Sequence, residues 1–401
     1  MHVELTDGIT WVGVIDWNIR DFHGYETRRG STYNAYLVRG EKTALVDTVK
    51  HSFVNTLLEN IEETVGLPAV DYVVANHAEP DHSGSLPAVL EATGATLVTN
   101  EKAVGALSGY YDTTGWPIEI VATGDSLDLG GRSLSFVQTP MVHWPESMVT
   151  YCPEDRVLLS NDAFGQHLAT SARFDDEVEL PVAMDEAKTY YANIVMLYGR
   201  PIAKAMEALG GLEIDMIAPA HGVIWRSHVP KILDAYSDWV QCRPVPKVLV
   251  IYESMWGSTD CMAHEIVKGV IAGGAQVKLM DVGHTHRTEI ATEVLDAATI
   301  AVGSPTLNMT LMPEIAGVLT YLKGLAPKGK AGLAFGSYGW APSGPKAVSD
   351  YLEEMKVEVL REPLTAQWRP GEEQRAECRE AGRLLAARAL ETAGETACAS
   401  L

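Results

Sequence analysis

Residues 77–82 read His-Ala-Glu-Pro-Asp-His, between an apolar stretch at 71–75 and an amphipathic helical pattern that begins at residue 86. The apolar stretch predicts a strand, and a Ser-Gly-Ser turn at 83–85 supplies N-cap chemistry for the helix. Alternate side chains of an extended loop point to one side, so the run has room for ligands to two neighbouring metal ions. The candidate ligands in this run are His77, Glu79, Asp81 and His82.

Three further residues of ligand type, His143, Asp162 and His221, lie in loops where later predicted strands stop. For one such residue, a cap or a satisfied polar group is the ordinary explanation. The recurrence at several strand ends instead favours a metal site along one edge of a sheet sandwich. Imidazole and carboxylate ligands without a thiolate suit iron better than zinc, although they do not exclude manganese or zinc.

The order of these residues resembles the metallo-β-lactamase superfamily, which carries a His-x-His-x-Asp-His run followed by a His, a bridging Asp and a last His. Glu79 stands where the hydrolases carry the second His of the run, and this substitution resembles the flavodiiron proteins. Adjacent residues rarely both aim at one cluster, so a ligand role for His82 stays open. The resemblance implies one iron on His77, Glu79 and His143, a second on Asp81, His82 and His221, and Asp162 as the bridge.

A second pattern begins after a linker-like stretch with two prolines at residues 241–246. Such an alternation of strands and helices is typical of a doubly wound parallel sheet, whose ligands bind beyond the carboxyl ends of the strands. The predicted strands lie at 247–252, 276–280, 299–303 and 330–336, and the predicted helices near 313–325 and 344–355.

Three loops of this second region carry candidate flavin-binding residues. The first opens a helix with hydroxyl groups and free backbone amides, which suits a phosphate, and it lacks the lysine of ATPase loops. Trp256, Tyr338 and Trp340 offer flat partners for a flat ring. The region resembles short-chain flavodoxins. That resemblance implies FMN bound by Ser254, Met255, Trp256, Gly257, Ser258, Thr259, Ser304, Pro305, Thr306, Asn308, Ser337, Tyr338, Gly339 and Trp340.

Composition narrows the class of protein. The 401 residues are 46% hydrophobic, which is enough for two cores, and no apolar run is long enough to span a bilayer. A formal net charge of −22 argues against nucleic acid as a partner. The N-terminus shows no secretory signal, and the five cysteines form no Cys-x-x-Cys pair. These features predict a cytoplasmic protein with reduced thiols.

Together these patterns predict an α/β protein with two domains. Residues 1–245 are expected to form a metallo-β-lactamase-like αββα sandwich with the diiron site, and residues 246–401 a flavodoxin-like doubly wound parallel sheet that binds FMN. The family resemblance implies a head-to-tail homodimer. A fused rubredoxin module would need more residues than the chain has after its last helix, so rubredoxin is expected as a separate electron donor.

The resemblance implies an enzyme that uses FMN and two non-haem irons to reduce dioxygen to water, nitric oxide to nitrous oxide, or both. His23 and Tyr25 match a segment that flanks the diiron pocket in flavodiiron proteins, and they are candidates for donating protons or positioning the gas. Ordinary packing explains these two residues equally well. This segment resembles that of the oxygen reductases of sulfate-reducing bacteria, which favours dioxygen, whereas a mainly nitric oxide reducing enzyme is the alternative.

Two other classes of protein, a hydrolase and an electron carrier, explain the sequence less well. A hydrolase with a metal-bound hydroxide has no need of a flavin domain, and an electron carrier has no need of six aligned ligands.

Asp47 is expected to orient a ligand imidazole, and the docking surface for the donor is expected at Arg28–Arg29 or at Lys328 and Lys330. The histidines expected to lie outside the centre are His167, His228, His284 and His286.

Overall fold

The computed structural model describes residues 1–399, and the side chains of residues 1–395. By compactness the chain divides into two units. The first unit comprises residues 1–191 and 198–237, and the second comprises residues 192–197 and 238 onward. The chain therefore enters the second unit twice, first through a short segment at 192–197.

The first unit contains two large sheets, both formed from short strands. In chain order the strands are β1 (Val3–Thr6), β2 (Ile9–Trp11), β3 (Val14–Asp16), β4 (Asp21–Phe22), β5 (Tyr25–Glu26), β6 (Ser31–Tyr33), β7 (Tyr36–Arg39), β8 (Thr43–Val46), β9 (Val70–Val74), β10 (Thr96–Thr99), β11 (Ile118–Ile120), β12 (Ser126–Asp128), β13 (Ser133–Gln138), β14 (Met148–Cys152), β15 (Val157–Asn161) and β16 (Met216–Pro219). The helices are α1 (Val54–Thr64), α2 (Pro80–Ser83), α3 (Leu86–Thr93), α4 (Glu101–Tyr110), α5 (Leu180–Tyr190), α6 (Gly199–Leu209) and α7 (Val229–Val240).

The two large sheets face each other across a buried apolar core. One sheet has the order β1-β2-β7-β8-β9-β10-β11 and the other the order β12-β13-β14-β15-β16. Tyr36 and Val46 of the first sheet belong to the same core cluster as Phe136 and Leu159 of the second. A separate cluster joins the outer face of the first sheet to α1, α3 and α4. Alternation of apolar residues on these strands explains why each sheet has a face that must be covered.

The second unit is built on one parallel sheet. Its strands are β17 (Val245–Tyr252), β18 (Gln276–Asp281), β19 (Ala297–Gly303), β20 (Ala331–Tyr338), β21 (Glu358–Val359) and β22 (Leu364–Gln367), and its helices are α8 (Ser258–Ala272), α9 (Arg287–Asp296), α10 (Pro313–Leu325), α11 (Ser343–Glu354) and α12 (Glu372–Ala399). The order is β18-β17-β19-β20-β21, and β22 also pairs with β20. The apolar strands are buried on both faces, as in doubly wound folds.

The predicted fold class is confirmed in both halves: a two-sheet sandwich precedes a doubly wound parallel sheet. No helix among residues 1–399 is both long and apolar enough to cross a membrane. The compact units differ from a single division between residues 245 and 246, because the second unit starts at residue 238 and also includes residues 192–197.

Candidate metal centre and flavin site

The seven predicted ligands come together at the carboxyl ends of strands in the first unit. His77 and Glu79 lie in the loop after β9, and Asp81 and His82 lie on the single turn of α2. Pro80 takes the first helical position of α2, where a missing N–H costs nothing. The other three ligand positions follow β13, β15 and β16. Because these three strands run in the same direction, their loops meet at one edge of the second sheet.

The first group of side chains consists of His77, Glu79, His143 and Asp162, with ligand atoms within 4.8 Å of one another. Glu79 Oε2 lies 3.2 Å from Nε2 of His77 and 3.2 Å from Nε2 of His143. Asp162 Oδ2 lies 3.4 Å and 3.5 Å from the same two nitrogens. Two imidazoles and two carboxylates therefore converge on one point.

The second group consists of Asp81, His82 and His221, all buried, and it satisfies the same distance limit. Asp81 Oδ2 lies 3.3 Å from Nε2 of both histidines. Asp81 and His82 are adjacent in sequence, yet the tight turn of α2 lets both side chains reach the group. The geometry thus brings His82 to the centre, where the sequence alone left its position open.

Asp162 joins the two groups. Its Oδ2 faces His77 and His143, whereas its Oδ1 lies 3.0 Å from His82 Nε2 and 3.5 Å from His221 Nε2. Asn161 precedes it with φ of 51°, a left-handed conformation that asparagine tolerates, and so turns the chain at the end of β15. One carboxylate with an oxygen on each group is the arrangement that bridges two metal ions.

The donor set fits two cations. Three carboxylates, Glu79, Asp81 and Asp162, are each less than 10% exposed, and such a concentration of buried negative charge requires compensation. Asp81 Oδ1, Asp162 Oδ2 and both ring nitrogens of His82 are buried without a hydrogen-bond partner. Unpartnered oxygen and nitrogen lone pairs that converge in a dry site are metal-ligand chemistry, since unsatisfied buried polar atoms are otherwise rare.

The pKa values of these side chains also indicate a site that attracts positive charge. Burial lowers the pKa of His143, but contacts with Asp162 and Glu79 outweigh burial and raise that pKa to about 9. Burial likewise lowers the pKa of His221, and Asp162 and Asp81 raise it to about 10. Burial raises the pKa of Asp162, but the surrounding imidazoles hold it well below its ordinary value. The Asp162 carboxylate therefore stays ionised and attracts positive charge.

Two ligand imidazoles are held by hydrogen bonds at Nδ1. His77 donates from Nδ1 to Glu146 Oε1 at 2.8 Å, and His221 donates from Nδ1 to the carbonyl oxygen of Thr32 at 2.7 Å. Each bond fixes the tautomer in which Nε2 offers a lone pair to the centre. Sequence reasoning missed Glu146, although it lies in the same loop as His143; its distance along the chain from His77 hides the pairing.

Asp47 forms no hydrogen bond to an imidazole among the described residues, which corrects the expected role, although its charge interacts with that of His82. Its two oxygens accept from the backbone N–H and side chain of Asn76 and from the side chain of Asn161. These asparagines directly precede His77 and Asp162, so Asp47 fixes the backbone of two ligand loops instead. A carboxylate at a strand end satisfies backbone donors as readily as side chains, so the sequence alone does not separate the two roles.

Tyr190 is a second residue that sequence reasoning missed. It ends α5, and its hydroxyl donates to Asp162 Oδ1 at 2.9 Å. Burial, together with nearby Asp162, raises its pKa well above the ordinary value, so the hydroxyl keeps its proton. No local motif marks this tyrosine, because its partner is contributed by a distant strand end.

His23 and Tyr25 both lie beside the centre, on a hairpin of β4 and β5. His23 and Gly24 form its two-residue turn with φ of 54° and 83°. His23 Nε2 lies 2.8 Å from Glu79 Oε1, and Tyr25 bonds to His167 Nε2 at 2.8 Å. His167 also bonds through Nδ1 to Ser31, so neither of its nitrogens is free for a metal. His167 is a neighbour of the centre, as expected.

A cavity of about 830 Å³ opens beside Glu79 and Asp81. Phe22 and His23 of the hairpin form part of its wall, and Pro87 and Ala88 of α3 form another part. The cavity gives a small molecule access to the oxygen ligands. Its remaining lining residues are Ile19, Asp21, Lys50, His51, Pro80, Gly84, Glu91, Tyr110 and Tyr111.

The second unit has its own cavity, of about 540 Å³, at the carboxyl ends of β17, β19 and β20. Trp368 and Arg369, which sequence reasoning missed, also line it. They follow β22, which was not predicted as a strand. The predicted flavin-binding residues that line the cavity are Met255, Trp256, Ser258, Pro305, Thr306, Asn308, Ser337, Tyr338, Gly339 and Trp340.

The other predicted residues of these loops, which do not line the cavity, are Ser254, Gly257, Thr259 and Ser304. Ser254 Oγ accepts from the N–H groups of Gly257 and Asp260, which shapes the loop before α8. Thr259 is buried and bonds to Ser337 at 3.1 Å. Ser304 accepts from the N–H of Met312 at 2.9 Å. Their hydroxyls hold the loops in place and are already used within the protein.

Three of the four cations predicted to dock the donor have partners within the chain, whereas Lys328 is exposed, and the docking surface stays a prediction. Arg28 pairs with Glu26, and Arg29 pairs with Glu186, each at 3.0 Å. Lys330 is buried and donates to two backbone carbonyl groups. Cations that already have partners offer little net charge to a docking protein.

The remaining discounted histidines have ordinary partners. His284 is 84% exposed and bonds to Asp281 at 3.0 Å, and His286 caps α9 by accepting from Thr288. His228 bonds to Asp175 at 2.9 Å. None of the three belongs to a metal-binding group among the residues that the structure describes.

Comparisons with known proteins agree with this architecture. Residues 32–222 match the family described as ODP family beta lactamase, and residues 250–382 match the flavodoxin family. A nitric oxide reductase of Moorella thermoacetica is 45% identical over 96% of this chain and 98% of its own length.

Solved structures are also similar to this chain over nearly its full length. Rubredoxin oxygen:oxidoreductase of Desulfovibrio gigas has a TM-score of 0.96 and 37% identity, over 98% of this chain and 99% of its own. A flavodiiron protein of Giardia intestinalis has a TM-score of 0.96 and 36% identity, over 99% of this chain and 98% of its own. With both halves matched in one continuous alignment, the chain belongs to the flavodiiron protein family.

Proposed function

We propose that this oxidoreductase passes electrons from rubredoxin through FMN to a non-haem diiron site and there reduces dioxygen to water. The observation that carries the proposal is the carboxylate of Asp162, which presents one oxygen to each of two histidine-carboxylate groups. A flavin-sized cavity in the same chain supplies the second cofactor site. The hydrolase alternative accounts for neither the cavity nor Glu79.

The proposed ligand sets follow the two groups of side chains. His77, Glu79 and His143 would hold one iron and Asp81, His82 and His221 the other, and Asp162 would offer one oxygen to each. When bound, two ferrous ions and reduced FMN supply four electrons, which with four protons convert one dioxygen to two waters. Residues 1–245 are the proposed metal domain, and residues 246–401 the proposed FMN domain.

The chain's own groups orient the ligands and manage protons. Glu146 and the Thr32 carbonyl hold two imidazoles in the tautomer that ligation needs. His23, which is 66% exposed and bonded to Glu79, lies between the centre and the solvent-open cavity. We propose His23 as the group through which protons enter, with Tyr25 holding the hairpin against the buried His167.

In the FMN cavity, the amides at the start of α8 and the Ser258 hydroxyl suit the phosphate. Trp256, Tyr338 and Trp340 suit the ring. Ser254 supports the phosphate loop by accepting two of its N–H groups, and so acts on the flavin through the backbone.

Nitric oxide is the second candidate substrate. Two nitric oxide molecules need two electrons and two protons to give nitrous oxide and water, which the same cofactors supply. A relative at 45% identity is named a nitric oxide reductase, and a structural neighbour at 37% identity is named for oxygen reduction. Steady-state rates with each gas, measured with the same reduced donor, decide between the two.

The decisive experiment begins with protein purified without oxygen from iron-replete cells. We expect about two irons and one FMN per chain, and rapid reoxidation of the reduced protein by dioxygen. Two zinc ions with no iron would favour the hydrolase alternative. Iron-loaded, reduced protein that reacts with neither gas would overturn the proposed function.

A head-to-tail homodimer, in which one chain's flavin serves the other chain's metals, belongs to the same proposal, as does a cytoplasmic location. A chain with Asp162→Ala mixed with a chain that cannot bind FMN tests electron transfer between subunits. Recovery of activity in confirmed heterodimers supports it, and no recovery counts against it. Stopped-flow reduction by rubredoxin tests the donor.

A further inference from the structure

The two metal-binding groups differ in what lies behind their imidazoles. His77 donates from Nδ1 to Glu146, whose side chain is only 3% exposed. The same Glu146 oxygen also accepts from the backbone N–H of Ala78 at 3.2 Å, so its position is fixed. A hydrogen bond to a buried carboxylate makes the imidazole a stronger electron donor through Nε2.

In the second group no carboxylate among the described residues accepts a hydrogen bond from an imidazole Nδ1, although the charge of Asp47 acts on His82 without such a bond. His221 donates from Nδ1 to a neutral backbone carbonyl, that of Thr32. His82 Nδ1 is buried without a hydrogen-bond partner among the described residues. Neutral or absent partners leave both imidazoles less electron-rich than His77.

The shared carboxylate adds to the difference. Asp162 Oδ1, which faces His82 and His221, accepts a hydrogen bond from the Tyr190 hydroxyl at 2.9 Å. Asp162 Oδ2, which faces the first group, has no aligned donor. A hydrogen bond withdraws electron density from the oxygen that accepts it. The oxygen of Asp162 that faces the second group is therefore the weaker metal ligand of the two.

One contact acts in the opposite direction. His23 Nε2 lies 2.8 Å from Glu79 Oε1 and so draws charge from a ligand of the first group. The His23 side chain is 66% exposed, however, and water screens its effect. The bond between His77 and Glu146 is buried at both ends and is screened far less.

We propose that Glu146 is a positioning residue that makes the two metal sites unequal, so that the ion held by His77, Glu79 and His143 is bound more tightly than its neighbour. The proposal rests on the diiron function proposed above. It concerns the strength of metal binding at each site and requires neither gas.

The test is anaerobic release of ferrous iron from the FMN-loaded protein to a strong chelator. We expect two phases, and the variant His221→Ala, which removes an imidazole from the second group and none from the first, assigns the faster one. In Glu146→Ala the slow phase should accelerate roughly 10- to 100-fold, the usual effect of removing an outer partner of a ligand. Glu146→Gln, whose amide oxygen still accepts from Nδ1, should show a smaller acceleration of the same phase.

Asp155→Asn is the matched control, because Asp155 is a largely buried carboxylate of the same unit that pairs with Arg132 and touches no ligand. It should change neither phase. Mössbauer spectra of the all-ferrous ⁵⁷Fe protein should show a change in one of the two iron signals in Glu146→Gln. Circular dichroism and FMN content establish that each variant is folded.

Equal acceleration of both phases, acceleration of the fast phase alone, or no change in correctly folded Glu146→Gln would each overturn the inference. Wild-type protein that holds two irons but reduces neither gas would overturn the proposed function, and the comparison of iron release would stand unaffected. The two failures are therefore distinguishable.

Discussion

Asp162 is the side chain that joins the two halves of the metal centre, because each of its oxygens faces a different group of ligands. Asp162→Ala removes both oxygens, so we expect iron content after anaerobic reconstitution to fall from about two per chain to well below one. Asp162→Asn keeps one carbonyl oxygen and should retain an intermediate amount. Iron analysis of dialysed protein measures the difference.

Asp155→Asn serves as control for this loss as well, since it removes a similar charge without touching a ligand. Unchanged iron content in Asp162→Ala would contradict the bridging role. Loss of iron from Asp155→Asn to the same extent would show that the metals respond to general destabilisation instead.

Glu186 predicts a pH dependence of stability. Burial raises its pKa to about 7, Asp185 adds to the rise, and Arg29 and Arg28 oppose it. Because the folded chain binds this proton more tightly than the unfolded chain, the contribution of Glu186 to stability is fully present below pH 4.5 and is lost as pH rises through 7. The full loss is about 3 kcal/mol at most.

Glu186→Gln removes this dependence. We expect the melting temperature of the variant, relative to wild type, to be higher at pH 8 than at pH 5.5, at equal iron and FMN content. Differential scanning calorimetry at the two pH values checks it. A difference between the proteins that is the same at both pH values would contradict the prediction.

Sequence patterns predicted the ligand positions because each ligand is next to a strand end that its own neighbours define. They missed Glu146 and Tyr190, whose partners are 69 and 28 residues away along the chain. Such contacts exist only after two sheets have packed. Asp47 was recognised as supporting the centre, but the identity of its partners depends on the same packing.

At the scale of single elements, the loop between β17 and α8 allows a direct test of its contribution to FMN binding. Ser254 closes it by accepting from the N–H groups of Gly257 and Asp260. Loss of a similar cap costs about 1 kcal/mol, so Ser254→Ala should weaken FMN binding roughly fivefold to tenfold. Fluorescence titration of apoprotein with FMN measures the dissociation constant.

Ser349→Ala is the control, because Ser349 is buried on α11 outside the cavity lining. Equal FMN affinity in Ser254→Ala and wild type would show that the loop holds its shape without the hydroxyl. A comparable loss in Ser349→Ala would indicate an effect on the whole unit.

Elements with a recognisable apolar pattern were predictable, whereas strands of only two residues were not. The strand predicted at 247–252 is part of β17, and the helix predicted at 313–325 is α10 with the same limits. The hairpin of β4 and β5 contains only two residues in each strand, too few to show a period. Its position over Glu79 is set by contacts of Phe22 with the rings of His167 and His221.

At the scale of the molecule, the net charge of −22 opposes the approach of an acidic donor such as rubredoxin. Arg369 lines the flavin cavity, is exposed, and is the only cation among the lining residues. Arg369→Glu should slow reduction by rubredoxin roughly tenfold at low salt, because a rim charge acts mainly on association. Stopped-flow absorbance of the flavin measures the rate.

Reduction by dithionite, a small reductant, is the matched control and should change much less. An equal slowing with both reductants would place the effect of Arg369 on the flavin itself. High salt should reduce the difference between variant and wild type in the rubredoxin reaction, since exposed charges are screened.

The short segment at 192–197 belongs to the compact unit of the flavodoxin fold, although the chain on either side belongs to the other unit. Asn193 accepts from the Tyr321 hydroxyl at 2.8 Å, and its side-chain amide lies 3.3 Å from the carbonyl oxygen of Thr288. A chimera of two flavodiiron proteins must therefore exchange residues 192–197 together with the C-terminal half. With a single junction, the segment 192–197 would come from one parent and the residues that it contacts in the C-terminal half from the other.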